Sequence, residues 1–558
     1  MFRGLRGLQS FSGMLAGMLL LLAVPAAASP GRPECETLAG LQLANGTIDS
    51  VLLTNALPTS DLVPGRGPLR GKPDPQQANL PSFCRIFGTL SPVPGSRIGI
   101  EIWLPLQWNG KLLTVGNHGF AGEYQRGYLA MGLHRGYAVA ATNTGHSGPF
   151  LNLGGLSVGS AAFAHGNPVA FEDFSWRAIH TLTVAAKELV MRAYGQPARR
   201  AYFAGCSNGG RQAMREAQMF PNDYDGILAG GAAMNWTGIS AMQMRGALLG
   251  DLGNGRKISS TKLQLAERAA IAACDGRDGL RDGFIANPGQ CRWQPRKLQC
   301  QPGKNGPDCL TPAEAAAIAG MMAPLRDPET RKELYPGFAP GSESIWATAI
   351  GSMSEPSPIM IDYYRYFVFN DAAWLPKDVK IIDLLRESER PGVPSLSLNA
   401  TNPDLSAFKA AGGKLILYHG WRDEAMPPAY ATQYYDEVVS RQPGRDKLSS
   451  TQDFFRLFMV PGLNHCYGGV GPVNFGGLAQ EPSRVVDADN DILEALDIWV
   501  ENGVAPKKII ATTYSSSNTP QRQMPLCPYP QTAVYVGGDP DRAGSFSCRP
   551  LSAARRRP

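Results

Sequence analysis

Between Ile98 and Gly231 the apolar and polar positions alternate in two rhythms. Short apolar runs, IGIEIWLP from Ile98, KLLTVG from Lys111, YAVAATNTG from Tyr137 and RRAYFAG from Arg199, have the length and the flanking Gly and Pro of buried strands. Between the last two runs, Ile179, Leu182, Ala186, Leu189 and Ala193 recur at helical spacing, and Gly195 and Pro197 supply a stop. A second helix is predicted to begin near Asn208. Strands alternating with helices in this way predict an α/β sheet whose faces the helices cover.

The rhythm breaks between Ala232 and Ala410, where cysteine loops, Asp-Gly turns and helical pieces such as TPAEAAAIAGMMAPL take over. It returns with GKLILYHG, FFRLFMVPG and the helical DNDILEALDIWVENG. One core split by an inserted, lid-like domain accounts for both changes: core over 29–231, lid over 232–410, core again over 411–558. A chain of 558 residues exceeds what one compact core holds, which agrees with this division. Residues 1–28 read as a signal peptide: Arg3 and Arg6, an apolar run from Met14 to Val24, then small residues suited to cleavage near Ala28. That run is too short to span a bilayer comfortably and none later is longer, so a soluble product, secreted or periplasmic, is expected.

The formal charge of +6 includes two arginines of the signal and three of the terminal RRRP, so the body is nearly balanced and nucleic acid is not an expected partner. Ten cysteines in an exported chain predict five disulfides, because an oxidising compartment lets pairs persist. Short loops favour Cys274 with Cys291, Cys300 with Cys309 and Cys527 with Cys548. No C-x-x-C pair supports a zinc or thioredoxin-like reading.

G-x-S-x-G, the pattern of a nucleophile elbow, occurs at Gly205–Gly209 and at Gly155–Gly159. Ser207 follows an apolar strand and precedes an amphipathic helix, as the elbow requires, whereas Ser157 lies in what reads as a loop and is taken as a chance match. A serine hydroxyl needs a histidine to take its proton and an acid to orient that histidine, in the chain order Ser, acid, His when it sits on such an elbow. Of seven histidines only His419 and His465 follow Ser207. The order favours His465 as base, with His419 a structural residue at the end of LILYHG; His118, His134, His146, His165 and His180 are assigned structural or substrate-contact roles. Asp423, just beyond that strand, is the expected acid, and Glu424 beside it is the alternative. Cys206 immediately precedes the serine and Cys466 immediately follows the base, so a bridge between them would hold the two loops within hydrogen-bonding reach. The oxyanion donors are expected to be the Asn208 N–H and one from KLLTVGNHGFAG, where Gly119 is preferred over Gly116 and Gly122.

GCSNGGRQAMREAQMFPNDYDGILAG, WNGKLLTVGNHGFAG, YHGWRDEAMPP and GLNHCYGG together resemble the tannase and feruloyl esterase family, which also includes mono(2-hydroxyethyl) terephthalate hydrolase. The similarity runs from Cys35 to Cys548. It implies an α/β-hydrolase core with a lid, the triad Ser207, Asp423 and His465, the Cys206–Cys466 bridge and a Cys35–Cys84 pair. In CDGRDGLRDGF it implies a structural Ca²⁺ site in the lid made by Asp275, Asp278 and Asp282 with main-chain oxygens of Leu280 and Phe284. Taken alone, that loop reads equally as Asp-Gly turns, and it lacks the spacing and terminal Glu of an EF-hand. Asn208 departs from a common family pattern, at a position that contributes its main-chain N–H. The implied activity is hydrolysis of small esters of aromatic, phenolic acids such as feruloyl or galloyl esters. Acyl transfer by the same triad, and an inactive calcium-stabilised phenolic-ligand binding protein, are the rival readings.

Overall fold

The computed structural model describes residues 33–62, 77–148, 150–153, 156–351, 355–377, 379–478, 480 and 483–550. The expected signal segment 1–28 and the terminal RRRP lie outside them. Among the described residues a ten-stranded sheet runs in the order Gln42–Leu43, Gly46–Thr54, Phe83–Leu90, Ile98–Pro105, Ala138–Thr142, Lys111–Val115, Arg200–Cys206, Gly226–Gly230, Lys414–Gly420, Phe455–Val460. Pairings as far as Ile98–Pro105 against Ala138–Thr142 are antiparallel, and those from there to the far edge are parallel. The parallel half is buried on both faces, which is why its strands read as continuous apolar runs.

Helix Ala178–Tyr194 covers one face with Ile179, Leu182, Ala186 and Leu189 and ends on Gly195 in the left-handed conformation. Helices Arg126–His134 and Ile492–Asn502 cover the other. Lys414–Gly420 pairs directly with Gly226–Gly230, so the chain leaves the sheet at Gly230 and comes back at the neighbouring position. The intervening segment builds a core of its own around Trp236, Met242, Ile318, Trp346, Tyr363 and Phe367, which also takes in Phe120 and Phe174. Its helix Pro312–Met322 starts with a capping box between Thr311 and Glu314, which satisfies two otherwise unpaired N–H groups at that end.

Two features depart from the sequence reading. Ser157 belongs to a strand, Leu156–Gly159, paired antiparallel with Phe150–Leu153, where a loop was expected; apolar residues at every second position, Leu151 and Leu153 and then Leu156 and Val158, are the strand signal that the neighbouring glycines obscured. The C-terminal region carries two hairpins not anticipated from the pattern, Ile509–Tyr514 with Pro520–Leu526 and Gln531–Tyr535 with Phe546–Pro550. They pack Met524, Ala533 and Phe546 against Phe284 of the Asp-rich loop. Disulfides join Cys35 to Cys84, Cys206 to Cys466, Cys274 to Cys291, Cys300 to Cys309 and Cys527 to Cys548.

Candidate active site

Strand Arg200–Cys206 ends at Ser207, and helix Asn208–Met219 begins one residue later. To make that reversal Ser207 adopts φ 64° and ψ −122°, a conformation costly for a residue with a Cβ. The flanking glycines are what make it possible: a Cβ on Gly205 would stand 2.4 Å from the Gly209 carbonyl oxygen. The elbow therefore needs Gly at both ends because strand and helix backbones touch there.

His465 Nε2 lies 2.9 Å from Ser207 Oγ, and His465 Nδ1 lies 2.9 Å from Asp423 Oδ2. Asp423 is fully buried. Its Oδ1 accepts the main-chain N–H groups of Ala425 at 2.9 Å and Met426 at 2.8 Å, which fixes the carboxylate plane. His419 Nε2 stands 3.1 Å from the same Oδ2 and 3.0 Å from the Met426 carbonyl, so Asp423 is held between two imidazoles. Burial by itself would raise the Asp423 carboxyl; His465 and His419 overturn that and hold it well below the ordinary range. Glu424 points elsewhere: its carboxylate accepts the main-chain N–H of His465 at 3.2 Å, and burial followed by the charge of Asp423 pushes its pKa up. The acid that reaches the imidazole is Asp423, and its neighbour braces the loop.

Of the three glycines in the loop from Lys111 to Gly122, two have their N–H groups committed to the fold. Gly116 donates to Ala204 at 2.9 Å and Gly122 to Asn143 at 3.3 Å. Gly119 has φ 50°. The loop is fastened to the helix after Ser207 by a reciprocal amide pair: Asn117 N–H donates to Gln212 Oε1 at 2.9 Å, and Gln212 Nε2 donates to Asn117 Oδ1 at 3.2 Å. Asn208 accepts from Arg211 Nε at 2.7 Å, and the guanidinium also donates to the carbonyls of Ser175 at 2.6 Å and Phe174 at 3.2 Å. Complete burial, with the charge of Arg215 behind it, lowers the Arg211 pKa to about 9. Arg211 and Gln212 were not singled out from the pattern, and Asn208 was singled out only for its main-chain N–H. The available signal was that Asn208, Arg211 and Gln212 are polar positions on helical turns that run straight under the serine.

Arg422 ties the acid loop to the inserted segment, donating to Asn464 Oδ1 at 2.7 Å, Glu267 Oε1 at 2.8 Å and the Gly341 carbonyl at 3.2 Å. Among the other histidines, His118 Nε2 meets the Tyr128 hydroxyl at 2.6 Å, and His146 stacks on Phe163 at 3.6 Å and meets the Phe120 carbonyl at 2.8 Å. Burial lowers the His146 pKa to about 4.

In the Asp-rich loop, Asp275 accepts from the N–H groups of Asp282 at 3.2 Å and Gly283 at 3.0 Å, and Asp278 Oδ1 accepts from that of Leu280 at 3.2 Å. Asp278 Oδ2 and Asp282 Oδ1 are buried without a partner. Arg522, from the C-terminal hairpins, pairs with Asp282 through Oδ2. Burial raises both carboxyls, that of Asp282 to about 7. Two buried carboxylate oxygens without a partner on a turn-rich loop suit a hard cation.

The family model described as tannase and feruloyl esterase matches residues 84–549. An uncharacterized esterase of Xanthomonas campestris pv. campestris is 36% identical over 498 residues, covering 84% of each chain. A probable feruloyl esterase B-1 of Aspergillus flavus is 30% identical over 462 residues, covering 81% of this chain and 84% of that protein. The crystal structure of feruloyl esterase B from Aspergillus oryzae superposes with a TM-score of 0.83 at 29% identity, covering 92% of this chain and 99% of that one. The match spans core, inserted segment and C-terminal hairpins alike, so the architecture is an α/β-hydrolase core with an inserted lid, and the protein is a carboxylic ester hydrolase that belongs to the tannase and feruloyl esterase family.

Proposed function

We propose that the protein is an exported serine esterase that hydrolyses esters of aromatic, phenolic carboxylic acids through an acyl-enzyme. The observation that carries this reading is the unbroken relay from Ser207 Oγ through His465 to Asp423, with 2.9 Å at each contact, on a serine whose backbone is strained outward by the elbow. His465 Nε2 takes the Ser207 proton as Oγ attacks the ester carbonyl, then gives that proton to the departing alcohol oxygen as the C–O bond breaks. Water, deprotonated by the same nitrogen, attacks the acyl-serine and returns the free acid. Asp423 accepts from Nδ1–H throughout and stays ionised, holding the tautomer that leaves Nε2 free to accept. The Asn208 and Gly119 N–H groups receive the charge that develops on the carbonyl oxygen, and Gly119 is favoured because Gly116 and Gly122 donate elsewhere.

The phenolic acyl preference draws on the names of the relatives, and the lid is where selection among gallate, hydroxycinnamate and terephthalate monoesters would be made. Five disulfides suit an oxidising compartment and support export. No described helix is long and apolar enough to cross a membrane. Calcium belongs to the same reading: Asp275, Asp278 and Asp282, with main-chain oxygens of Leu280 and Phe284, would hold it, and its chemistry there is to neutralise a buried acidic loop and stiffen the lid.

The test is turnover of methyl gallate, methyl ferulate, chlorogenate and mono(2-hydroxyethyl) terephthalate by the wild type and Ser207→Ala, with product ratios compared in the presence of an added alcohol. Hydrolysis that disappears in the variant supports the reading. Ester exchange dominating over free acid would favour the acyltransferase, and ligand binding without turnover would favour the inactive binding protein.

A further inference from the structure

Away from the proposed catalytic relay, on the far side of the helix that Ser207 starts, three side chains from separate elements meet. His180 comes from helix Ala178–Tyr194, Glu216 from helix Asn208–Met219, and Asp223 from the turn leading into strand Gly226–Gly230. One ligating atom of each lies within 4.8 Å of the others. His180 Nδ1 is 2.7 Å from Asp223 Oδ2, and the ring lies flat on Phe220 with centroids 3.9 Å apart. Glu216 is 1% exposed, and its Oε2 has no hydrogen-bond partner.

A buried carboxylate oxygen left without a donor is costly, and nearly all such oxygens in folded proteins are satisfied. The nearest donors do not satisfy it: Lys187 Nζ donates to the Asp223 carbonyl, and the Arg215 guanidinium donates to the carbonyls of Asn399 and Ser397. Asp223 faces the same space with a second negative charge. One imidazole nitrogen and two carboxylates, with His180 one-third exposed to leave a solvent path, form a three-ligand set with an open position.

We propose that His180, Glu216 and Asp223 form a binding site for a divalent transition metal of the zinc type, separate from the Asp-rich loop of the lid. Tetrahedral ligands near 2.1 Å from the metal stand about 3.4 Å apart, so the widest contact in the set has to draw in by up to about 1.4 Å. Rotation of the partly exposed His180 supplies that movement. Imidazole with carboxylates selects zinc-like ions over Ca²⁺, which prefers a shell of six or more oxygens. The ion would crosslink helix Ala178–Tyr194 to helix Asn208–Met219 and the turn that follows it, and the open position would carry water.

The competing occupant is a proton shared between Glu216 and Asp223; burial, and then Asp223, already push the Glu216 carboxyl well above its ordinary range. The test is zinc titration of the tag-free full chain after chelator treatment, in excess Ca²⁺ so that the lid loop is not the acceptor, read by calorimetry and metal analysis. One zinc per chain is expected. His180→Phe, which keeps the ring against Phe220 and removes the nitrogen, and Asp223→Asn should each weaken binding by about tenfold or more, and Asp278→Ala should leave it unchanged. Absence of zinc uptake, or uptake of equal affinity in both variants, overturns the proposal in favour of the shared proton. Because the readout is metal content, either result leaves the esterase reading untouched.

Discussion

Cys206 and Cys466 are bonded with their α-carbons 6.0 Å apart across 260 residues of sequence, and each is the immediate neighbour of a residue that must meet the other's: Ser207 and His465. Both turns are strained, since Ser207 and Cys466 each have φ 64°. A crosslink between two strained turns opposes their relaxation away from each other. On loop-entropy grounds it contributes roughly 5 kcal/mol at most. The double variant Cys206→Ala, Cys466→Ala should therefore melt earlier and, where folded, lose kcat by about 10²-fold with a smaller change in KM, the cost of a displacement near 1 Å. Steady-state kinetics below the new melting point decide it; an unchanged kcat would reduce the bridge to a purely stabilising role.

Asp423 is buried and Glu424 half-buried, and both touch His465, but only Asp423 meets the ring. Asp423→Asn presents an amide where Nδ1–H needs an acceptor and should lower kcat by about 10³ to 10⁴-fold. Glu424→Gln keeps an oxygen for the His465 main-chain N–H and should cost less than about tenfold. His419→Phe removes the second imidazole on Asp423 and should fall between the two. Parallel kcat measurements rank the three, and a Glu424→Gln loss as large as that of Asp423→Asn would reassign the orienting acid.

Calcium should raise the melting temperature, because an ion bound only by the folded chain stabilises it by mass action. Asp278→Ala should abolish that rise while leaving Ser207, His465 and Asp423 in place. The loop also packs against the C-terminal hairpins through Phe284, and Arg522 pairs with Asp282. Arg522→Met should accordingly tighten calcium binding, since it removes a cation that competes for the Asp282 carboxylate. Thermal melts with and without Ca²⁺ for both variants check this, and a calcium shift unaffected by Asp278→Ala would place the ion elsewhere.

The parallel half of the sheet was legible because strands buried on both faces are uninterrupted apolar runs, and Gly205, Ser207 and Gly209 were legible because the elbow tolerates so few residues at those places. Strand Gly46–Thr54, with Leu52 and Leu53 exposed, carries no such pattern and was missed. The relay was found from residue type and order. Its supports were not, since Gln212, Arg211 and Arg422 act through partners up to 155 residues distant, and no local spacing encodes those contacts. The strand holding Ser157 was obscured by neighbouring glycines that read as loop.

Glu343 is fully buried at the foot of the inserted segment, with the Gly341 N–H donating to one carboxylate oxygen at 2.8 Å and the other oxygen unpartnered. Burial, reinforced by the charge of Glu267, raises its pKa to about 8. In the unfolded chain the same group titrates near 4.3. Between those two values the folded protein keeps a proton that the unfolded chain has released, so this group makes stability fall as pH rises from about 4.5 to about 8, by up to roughly 1.4 kcal/mol per pH unit, and level off above. Glu343→Gln has the same volume and does not titrate. Its stability, followed by thermal melts, should match the wild type near pH 5 and exceed it increasingly towards pH 8, where the difference is on the order of a few kcal/mol. A gap that stays constant across that range would mean that Glu343 is ionised in the folded state at pH 5. The effect should also reach turnover, because Gly341 accepts from Arg422, the residue next to Asp423. Ionisation of Glu343 near pH 8 pulls on that contact, and the variant should hold its kcat further into the alkaline range than the wild type does.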